Sequence, residues 1–310
     1  MSLGYLSFRH IYLKTLPKKF GKLDRKRISK LTLPDDVEEE EHKEGPIPFL
    51  VHRKKGSVPF GILFDIHGGG WCYGDKELNR PFNMSMASRN LLVISMDYRL
   101  LGKAEVKEQV QDVIDCMVDV YRRKEELHLD FTLPVFLTGD SAGGMLASIV
   151  TAVSENEEYQ TIYSRKLPFR FTSLVLNHPA GYTSRFDEMF ALPKPFRKRI
   201  NGYFSTLMYG KEYTKNPVYL SSADFSSIAK KVKFPKTLII TSIGDTWLRK
   251  MSDRQYHDMI ENGDDVTLNT YEEEPNCHVF NVMHINSEAG KKANDDIKDF
   301  LQKSVDLPSR

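Results

Sequence analysis

The chain has 310 residues, 40% hydrophobic and 28% charged, and its 44 basic against 42 acidic residues give a formal net charge of +2. This composition is ordinary for a globular protein and excludes the fibrous and disordered classes. The length is enough for two domains, or for one large domain with an insertion. Because the charge is balanced, we expect no nucleic-acid partner and instead a small-molecule one.

Cysteine usage and the lack of long apolar segments indicate a cytoplasmic protein. Cys72, Cys116 and Cys277 cannot all pair and are too few to cross-link a chain of this length, which favours a reducing compartment. The N-terminal stretch has no uninterrupted apolar segment of the kind that a secretory signal needs, and no segment reaches transmembrane length. We therefore expect no stable membrane insertion.

The first 45 residues differ in charge from the rest of the chain. Residues 1–30 carry nine Lys and Arg against the single acid Asp24, whereas residues 35–44 carry seven acids against one base. Apolar residues at roughly helical intervals predict a short basic amphipathic helix near the N-terminus. A helix docked as part of a cap is favoured over a membrane-surface helix, so residues 1–45 are assigned to a cap. The run Glu38–Glu41 is interpreted as solvated surface.

Beyond residue 45, short and mostly continuous apolar runs alternate with helical patterns. Continuous runs fit strands that are buried on both faces, and Glu105–Leu127 and Ala142–Val153 have helical period between them. The predicted strands are Phe60–Ile66, Leu91–Ser95, Pro134–Leu137, Leu174–Leu176, Leu238–Thr241 and Val266–Thr270. This order predicts an α/β fold with a mostly parallel sheet flanked by helices, whose ligands bind beyond the carboxyl ends of the strands.

One segment interrupts the alternation. Residues 181–234 are rich in aromatic residues and show no clear strand, so they are predicted to be a helical cap insertion. Residues 46–180 and 235–310 then form the catalytic domain.

A serine lies in the sequence context of a nucleophile elbow. Gly139–Asp140–Ser141–Ala142–Gly143 matches G-x-S-x-G, directly after the strand Pro134–Leu137 and directly before a helical pattern. In such an elbow the serine occupies a strained strand-to-helix turn, and the flanking glycines avoid collisions with neighbouring elements. The context favours a nucleophilic serine over an ordinary glycine-rich turn.

A second glycine-rich motif follows another strand. His67–Gly68–Gly69–Gly70–Trp71 comes directly after Phe60–Ile66, and glycines there allow backbone N–H groups to face a developing oxyanion. A phosphate-binding loop is the alternative, but neither the GK[ST] ending nor the G-x-G-x-x-G spacing is present.

A serine nucleophile needs a base and an acid that orients the base. In chain order, Asp245 follows the strand Leu238–Thr241 and His278 follows the strand Val266–Thr270. Together with Ser141, both lie just past the carboxyl ends of strands, so we expect the three side chains to converge at one sheet edge.

Four other residues are weaker candidates for the acid and the base. Asp253 and His257 are expected in the helix after Asp245, His284 is expected about two turns into the C-terminal helix, and His178 follows a strand that precedes the cap.

Taken together, these motifs resemble the hormone-sensitive lipase-like α/β-hydrolases, also called bacterial family IV esterases. The resemblance rests on HGGGW-x-x-G at 67–74, DYRL at 97–100, GDSAGG at 139–144, GD at 244–245 and HVF at 278–280. It implies an α/β-hydrolase fold in which Ser141 is the nucleophile, Asp245 the acid and His278 the base. The implied oxyanion hole consists of the backbone amides of Gly69, Gly70 and Ala142.

The same resemblance implies structural roles for four further residues and shows one departure. His67, Asp97 and Arg99 would hold loops, and Asp140 would support the elbow. Leu101–Gly102–Lys103–Ala104–Glu105 replaces the P-E-H-x-F-P-A segment that usually follows DYRL in the family, which changes the local pocket wall.

No cofactor and no metal are expected, because no cluster of His, Cys and Asp has metal-ligand spacing. Cys72 and Cys277 lie beside the predicted site but not at an elbow, so they are interpreted as small hydrophobic residues rather than nucleophiles.

The leading hypothesis is a serine carboxylesterase that acts on short- to medium-chain acyl esters. A trypsin-like protease is disfavoured by the order of the triad and by the β–α alternation. A small-amide hydrolase, such as a formamidase or a short-peptide hydrolase, would use the same residues. A non-catalytic ligand-binding protein, like the gibberellin receptors that resemble this family, is disfavoured by the presence of His278. Whether the chain forms a homodimer stays open.

Overall fold

A single twisted sheet organises the computed structural model, which describes residues 2–189 and 194–305. Within those residues the strands are β1 (Val37–His42), β2 (Phe49–Lys54), β3 (Ile62–Ile66), β4 (Leu92–Met96), β5 (Val135–Asp140), β6 (Ser173–Asn177), β7 (Lys236–Ser242) and β8 (Val266–Tyr271). Their spatial order is β1-β2-β4-β3-β5-β6-β7-β8. The β1–β2 and β2–β4 pairs are antiparallel and the other pairs are parallel, so β2 alone of these strands runs against the others. The predicted mostly parallel sheet is therefore confirmed.

All six predicted strands are present, and each predicted end lies within three residues of the observed one. The central strands β3 to β6 are buried along their whole length, which explains why their apolar runs are continuous. The run Glu38–Glu41 is exposed, as predicted, but it also forms most of β1, which the sequence analysis did not predict. The four consecutive glutamates of this edge strand are all exposed, so the sequence has no alternation of apolar and polar residues there that would predict a strand.

Helices cover both faces of the sheet. In chain order they are α1 (Leu3–His10), a π-helical turn (Ile11–Thr15), α2 (Leu16–Ile28), α3 (Arg80–Ser88), α4 (Val106–Arg122), α5 (Ala142–Glu155), α6 (Glu157–Tyr163), α7 (Lys194–Tyr209), α8 (Pro217–Ser222), α9 (Phe225–Ala229), α10 (Arg249–Glu261), α11 (Phe280–Met283) and α12 (Glu288–Val305). The hydrophobic core has two separate parts. Helices α4, α5 and α10 contribute to the first, and helices α3, α11 and α12 contribute to the second. No helix in the part of the chain described here is both long and apolar enough to cross a bilayer.

The N-terminal helix is longer than predicted. Instead of one short helix, α1, the π-helical turn and α2 continue one another from Leu3 to Ile28. This N-terminal helix packs against α7, because Tyr5 lies 5.6 Å from the ring of Tyr203 and Tyr12 lies 5.4 Å from the ring of Phe204.

The segment predicted as a cap insertion is helical where the structure describes it. Residues 181–189 and 194–234 contain short 3₁₀ segments and α7 to α9 and no strand, and residues 190–193 lie outside the described residues. The division of the chain into a cap and a catalytic domain stays a prediction.

Candidate active site

Ser141 lies in a strained turn between β5 and α5. Its backbone has φ 53° and ψ −114°, a conformation that residues other than glycine rarely adopt. A Cβ atom on Gly143 would lie 1.9 Å from the carbonyl oxygen of Ile66, and one on Gly139 would lie 2.4 Å from the carbonyl oxygen of Gly143. Only glycine fits at these two positions, as the elbow motif predicts.

The structure brings the three residues singled out in the sequence into one hydrogen-bonded series. The Oγ atom of Ser141 lies 3.0 Å from Nε2 of His278, and Nδ1 of His278 lies 2.9 Å from Oδ2 of Asp245. Each residue follows the carboxyl end of a different strand, β5, β7 or β8. The expected convergence at one sheet edge is therefore observed.

Asp245 is buried and holds its charge. Its Oδ1 accepts hydrogen bonds from the backbone N–H groups of Trp247 (2.9 Å) and Leu248 (3.0 Å). Burial acts to raise the pKa of Asp245, but the hydrogen bond and charge of His278 outweigh it and hold the pKa at about 2. Because an ionised carboxylate only accepts hydrogen bonds, Nδ1 of His278 carries a proton, and in the neutral form of the imidazole Nε2 is therefore free to accept from Ser141.

The backbone amides predicted to form the oxyanion hole lie in the glycine loop after β3 and at the start of α5. Gly69 (φ +91°) and Gly70 (φ +57°) have left-handed backbone conformations, and Ala142 is the first residue of α5. Among the described residues, none of these three N–H groups donates an intramolecular hydrogen bond. Unpaired amides beside a helix N-terminus stabilise negative charge on an oxygen.

A buried polar network joins the glycine loop to the elbow. Asp140 accepts hydrogen bonds from the backbone N–H of Gly68 (2.8 Å) and from Nδ2 of Asn79 (2.7 Å), and Asn79 also contacts Asp65 (3.1 Å). Burial raises the pKa of Asp140, and burial together with the charge of Asp140 raises that of Asp65 to about 7. Asn79 and Asp65 belong to no motif, so the sequence analysis missed both.

Two of the weaker candidates lie where the sequence predicted. Asp253 and His257 are on α10, and Asp253 lies 3.9 Å from Arg249 on the surface. The prediction for His284 was wrong, since it directly follows α11 instead of lying inside α12. The reason is that α11 is a separate short helix, broken from α12 by four residues.

His178 and Trp247 flank the imidazole of His278. His178 is buried after β6, with its ring 5.5 Å from that of His278, and burial followed by the charge of His278 lowers its pKa to about 3. It is therefore a neutral packing residue. The half-exposed ring of Trp247 lies 5.6 Å from the ring of His278, and no sequence pattern indicated this neighbour.

The residues expected to hold loops make contacts of that kind. Arg99 pairs with Asp112 through two hydrogen bonds of 2.8 and 2.7 Å, and Asp97 accepts from the backbone N–H of Lys76 at 2.7 Å. In the segment that departs from the family pattern, Leu101 donates from its backbone N–H to the carbonyl of Trp71 at 2.8 Å.

The cysteines beside the site are protonated thiols. Burial raises the pKa of Cys72 to about 12 and also raises that of Cys277, which is only partly buried. Neither lies at the elbow, which agrees with their interpretation as small hydrophobic residues.

A family model described as the alpha/beta hydrolase fold matches residues 63–281. The chain belongs to this family. The resemblance to hormone-sensitive lipase-like hydrolases that the motifs indicated is thereby confirmed.

Curated relatives match parts of the chain. Arylacetamide deacetylase of Oryctolagus cuniculus is 34% identical over 147 residues, which cover 46% of this chain and 35% of that protein. The carboxylic ester hydrolase LipN of Mycobacterium tuberculosis is 27% identical over 114 residues, which cover 36% of this chain and 30% of that protein. The matches thus span about a third of the length of these two relatives.

Solved structures share the whole fold. Esterase B from Lactobacillus rhamnosis (HN001) superposes with a TM-score of 0.84 at 23% identity, covering 96% of each chain. An esterase of Pyrobaculum calidifontis gives a TM-score of 0.71 at 22% identity, covering 94% of each chain. At these identities the likeness shows the fold.

Proposed function

We propose that the protein is a serine carboxylesterase that hydrolyses short- to medium-chain acyl esters. The observation that carries the proposal is the continuous hydrogen-bonded series Asp245–His278–Ser141, and the unpaired amides of Gly69, Gly70 and Ala142 support it. In this proposal Ser141 is the nucleophile, His278 the general base and Asp245 the orienting acid.

The proposed mechanism has two stages, acylation and deacylation of Ser141. Ser141 Oγ attacks the ester carbonyl carbon while its proton moves to Nε2 of His278, and the three amides stabilise the oxyanion that forms. His278 then gives the proton to the departing alcohol, which leaves an acyl group on Ser141. Water, deprotonated by His278, then attacks the acyl carbon, the bond to Ser141 Oγ breaks as His278 returns the proton to that oxygen, and the carboxylic acid is released.

The names of the relatives support an ester substrate and also favour small-amide hydrolysis as an alternative activity. LipN is named as a carboxylic ester hydrolase, and one neighbouring structure is of esterase B with a tributyrin phosphonate inhibitor. Arylacetamide deacetylase is named for an amide substrate, which favours small-amide hydrolysis as the second candidate. The non-catalytic alternative is disfavoured because the hydrogen-bonded series has all three members.

A cap made of residues 1–45 and 181–234 is part of the proposal. Tyr12 and Phe204, one from each segment, contact each other, and Phe204 lies 5.6 Å from the ring of Trp71, next to the predicted oxyanion hole. By resemblance to the hormone-sensitive lipase-like family, a pocket under such a cap accepts short acyl chains. We therefore expect acetyl to hexanoyl esters to be preferred over palmitoyl esters.

A substrate panel separates the two candidate activities. The protein is assayed with p-nitrophenyl esters from acetyl to palmitoyl, with an anilide and with N-formylkynurenine. We expect the highest kcat/KM on a short or medium ester. A higher value on the anilide or on N-formylkynurenine would instead establish the amide hydrolase.

A substitution of the nucleophile tests the assignment of Ser141. Ser141→Ala is expected to lower kcat on the order of 10⁴- to 10⁶-fold, as in serine hydrolases that lose this oxygen, with the melting temperature retained. Ser148→Ala is the control, because Ser148 is buried in α5, the helix that follows Ser141, and its hydroxyl donates a hydrogen bond to the carbonyl of Gly144. An organophosphate should label Ser141, which peptide mass mapping checks. A folded Ser141→Ala variant with activity near that of the wild type would refute the proposal.

A further inference from the structure

Within the described residues, every backbone carbonyl of the oxyanion loop, defined here as His67–Trp71, accepts a hydrogen bond. The donors are the Tyr98 hydroxyl for His67 and Gly68 (2.9 and 3.1 Å), the Cys72 and Tyr73 amides for Gly69 (both 3.2 Å), the Tyr12 hydroxyl for Gly70 (2.9 Å), and the Leu101 amide and Gln109 side chain for Trp71 (2.8 and 3.0 Å). All the donors but Tyr12 come from the region predicted as the catalytic domain. The Gly70 carbonyl is held by the N-terminal helix.

Packing fixes the position of the Tyr12 hydroxyl. The ring is buried, stacks on Phe8 at 5.7 Å and meets Phe204 and Phe186 edge-on at 5.4 and 6.3 Å. Tyr12 also lies in the π-helical turn, and such turns change which way the side chains of a helix point. The contact extends to the glycine itself, because a Cβ atom on Gly70 would lie 3.1 Å from the Tyr12 hydroxyl.

The Gly70–Trp71 peptide, whose carbonyl accepts the hydrogen bond from Tyr12, is strained. Trp71 has φ +59°, a conformation that is unfavourable for a large aromatic residue. A half-turn of the Gly70–Trp71 peptide would change φ of Trp71 to a negative value, and it would also turn the Gly70 carbonyl away from Tyr12. The hydrogen bond from Tyr12 therefore opposes this rotation. It thereby fixes the backbone of Gly70, whose own N–H is one of the predicted oxyanion-hole donors and has no partner among the described residues.

We infer that Tyr12 is a positioning residue for the oxyanion hole, and that the N-terminal helix thereby completes the active site. The inference rests on the proposed function, because the hole has a catalytic role only if an oxyanion forms. Tyr12 orients the loop and does not touch the reacting atoms. Its loss disturbs the alignment of donors that remain present, so the effect is smaller than the 10²- to 10³-fold cost of removing a donor.

The test is Tyr12→Phe, which keeps the ring and removes the hydroxyl. Activity on p-nitrophenyl butyrate is measured per active site, counted by complete titration with a phosphonate. We expect kcat to fall about three- to tenfold, in line with one net hydrogen bond, and KM to stay within about twofold. The inhibition constant of a trifluoromethyl ketone, whose adduct places an oxyanion in the hole, should rise by the same factor as kcat falls.

Tyr5→Phe is the matched control. Tyr5 lies on the same N-terminal helix, is 8% exposed like Tyr12 and packs against an aromatic ring of α7, but within the described residues its hydroxyl makes no hydrogen bond. The control should keep kcat within about 1.5-fold of the wild type.

Three results would overturn the inference alone: an unchanged kcat per titrated site in Tyr12→Phe, an equal loss in Tyr5→Phe, or a raised KM with kcat preserved. The second would mean that ring packing matters and the third that Tyr12 acts on substrate binding. A wild-type protein that hydrolyses none of the esters refutes the proposed function itself, and the inference with it.

Discussion

Replacing Asp245 with asparagine should disable the proposed base by imposing the wrong tautomer. The backbone N–H groups of Trp247 and Leu248 both donate to Oδ1 of Asp245, so the amide oxygen of the introduced asparagine would occupy that position. Its NH₂ group would then face Nδ1 of His278, at the place where Oδ2 now lies 2.9 Å away. Because this group donates, Nδ1 would have to accept, and the proton of the neutral imidazole would move to Nε2. The hydroxyl of Ser141 would lose its acceptor.

The expected loss is large. A wrong tautomer in the Asp-to-Asn variant of a serine protease triad costs about 10⁴-fold in kcat. Here we expect a loss of about 10³- to 10⁴-fold, which corresponds to about 4 to 5.5 kcal/mol of transition-state stabilisation. The assay is kcat/KM on p-nitrophenyl butyrate at pH 7.5, with the melting temperature measured on the same preparation.

Asp253→Asn is the control for this substitution. Asp253 is on the adjacent α10 with its side chain 40% exposed and only a 3.9 Å contact to Arg249, so kcat/KM should stay within about twofold of the wild type. Retention of more than a tenth of the wild-type kcat/KM by folded Asp245→Asn would refute the role assigned to this carboxylate. Equal small effects of both substitutions would lead to the same conclusion.

Two further predictions concern the support of the elbow. Gly143→Ala should lower kcat by more than about 100-fold and lower the melting temperature, because its methyl group would overlap the carbonyl oxygen of Ile66; unchanged kinetics would contradict the elbow geometry. For Asp65, whose folded pKa of about 7 exceeds the ordinary 3.8, the folded state keeps a proton that the unfolded state releases. Its contribution to stability is therefore present below pH 4 and is lost as pH rises towards 7, with a slope of at most about 1.4 kcal/mol per pH unit. In urea unfolding from pH 4.5 to 7, the free energy of unfolding should fall more steeply with pH for the wild type than for Asp65→Asn. The same pH dependence in both proteins would contradict the raised pKa of Asp65.

The sequence predicts best what depends on local order along the chain. Ser141, Asp245 and His278 each directly follow an apolar run, and parallel strands bring their carboxyl ends to one edge, so their convergence follows from topology. The elbow glycines are likewise predictable, because a strand-to-helix turn this tight excludes side chains.

Contacts between distant polar residues were not predictable in this way. Asn79, the last residue of the long loop between β3 and α3, bridges Asp65 and Asp140, and nothing in the spacing of these residues marks them as neighbours. Tyr12 reaches Gly70 across 58 residues, through packing against α7 that periodicity does not encode.

The length of the N-terminal helix has a similar explanation. Residues 17–28 are rich in Lys and Arg, so their apolar period is weak. In the structure this part is held by contacts made elsewhere, such as the stacking of Phe20 on Tyr73 at 5.8 Å and the hydrogen bond from Arg27 to the Met283 carbonyl at 3.0 Å. Tertiary packing of this kind supplies most helix stability in proteins, and it leaves little trace in a local pattern.

The acidic strand β1 has a consequence for how the sheet meets other chains. It forms one edge of the sheet, and its outer hydrogen-bonding groups have no neighbouring strand among the described residues. A foreign strand added there would bring its side chains against the consecutive carboxylates of Glu38–Glu41, which are exposed to water. Their charge disfavours such edge-to-edge aggregation, as lysines do on other natural sheet edges.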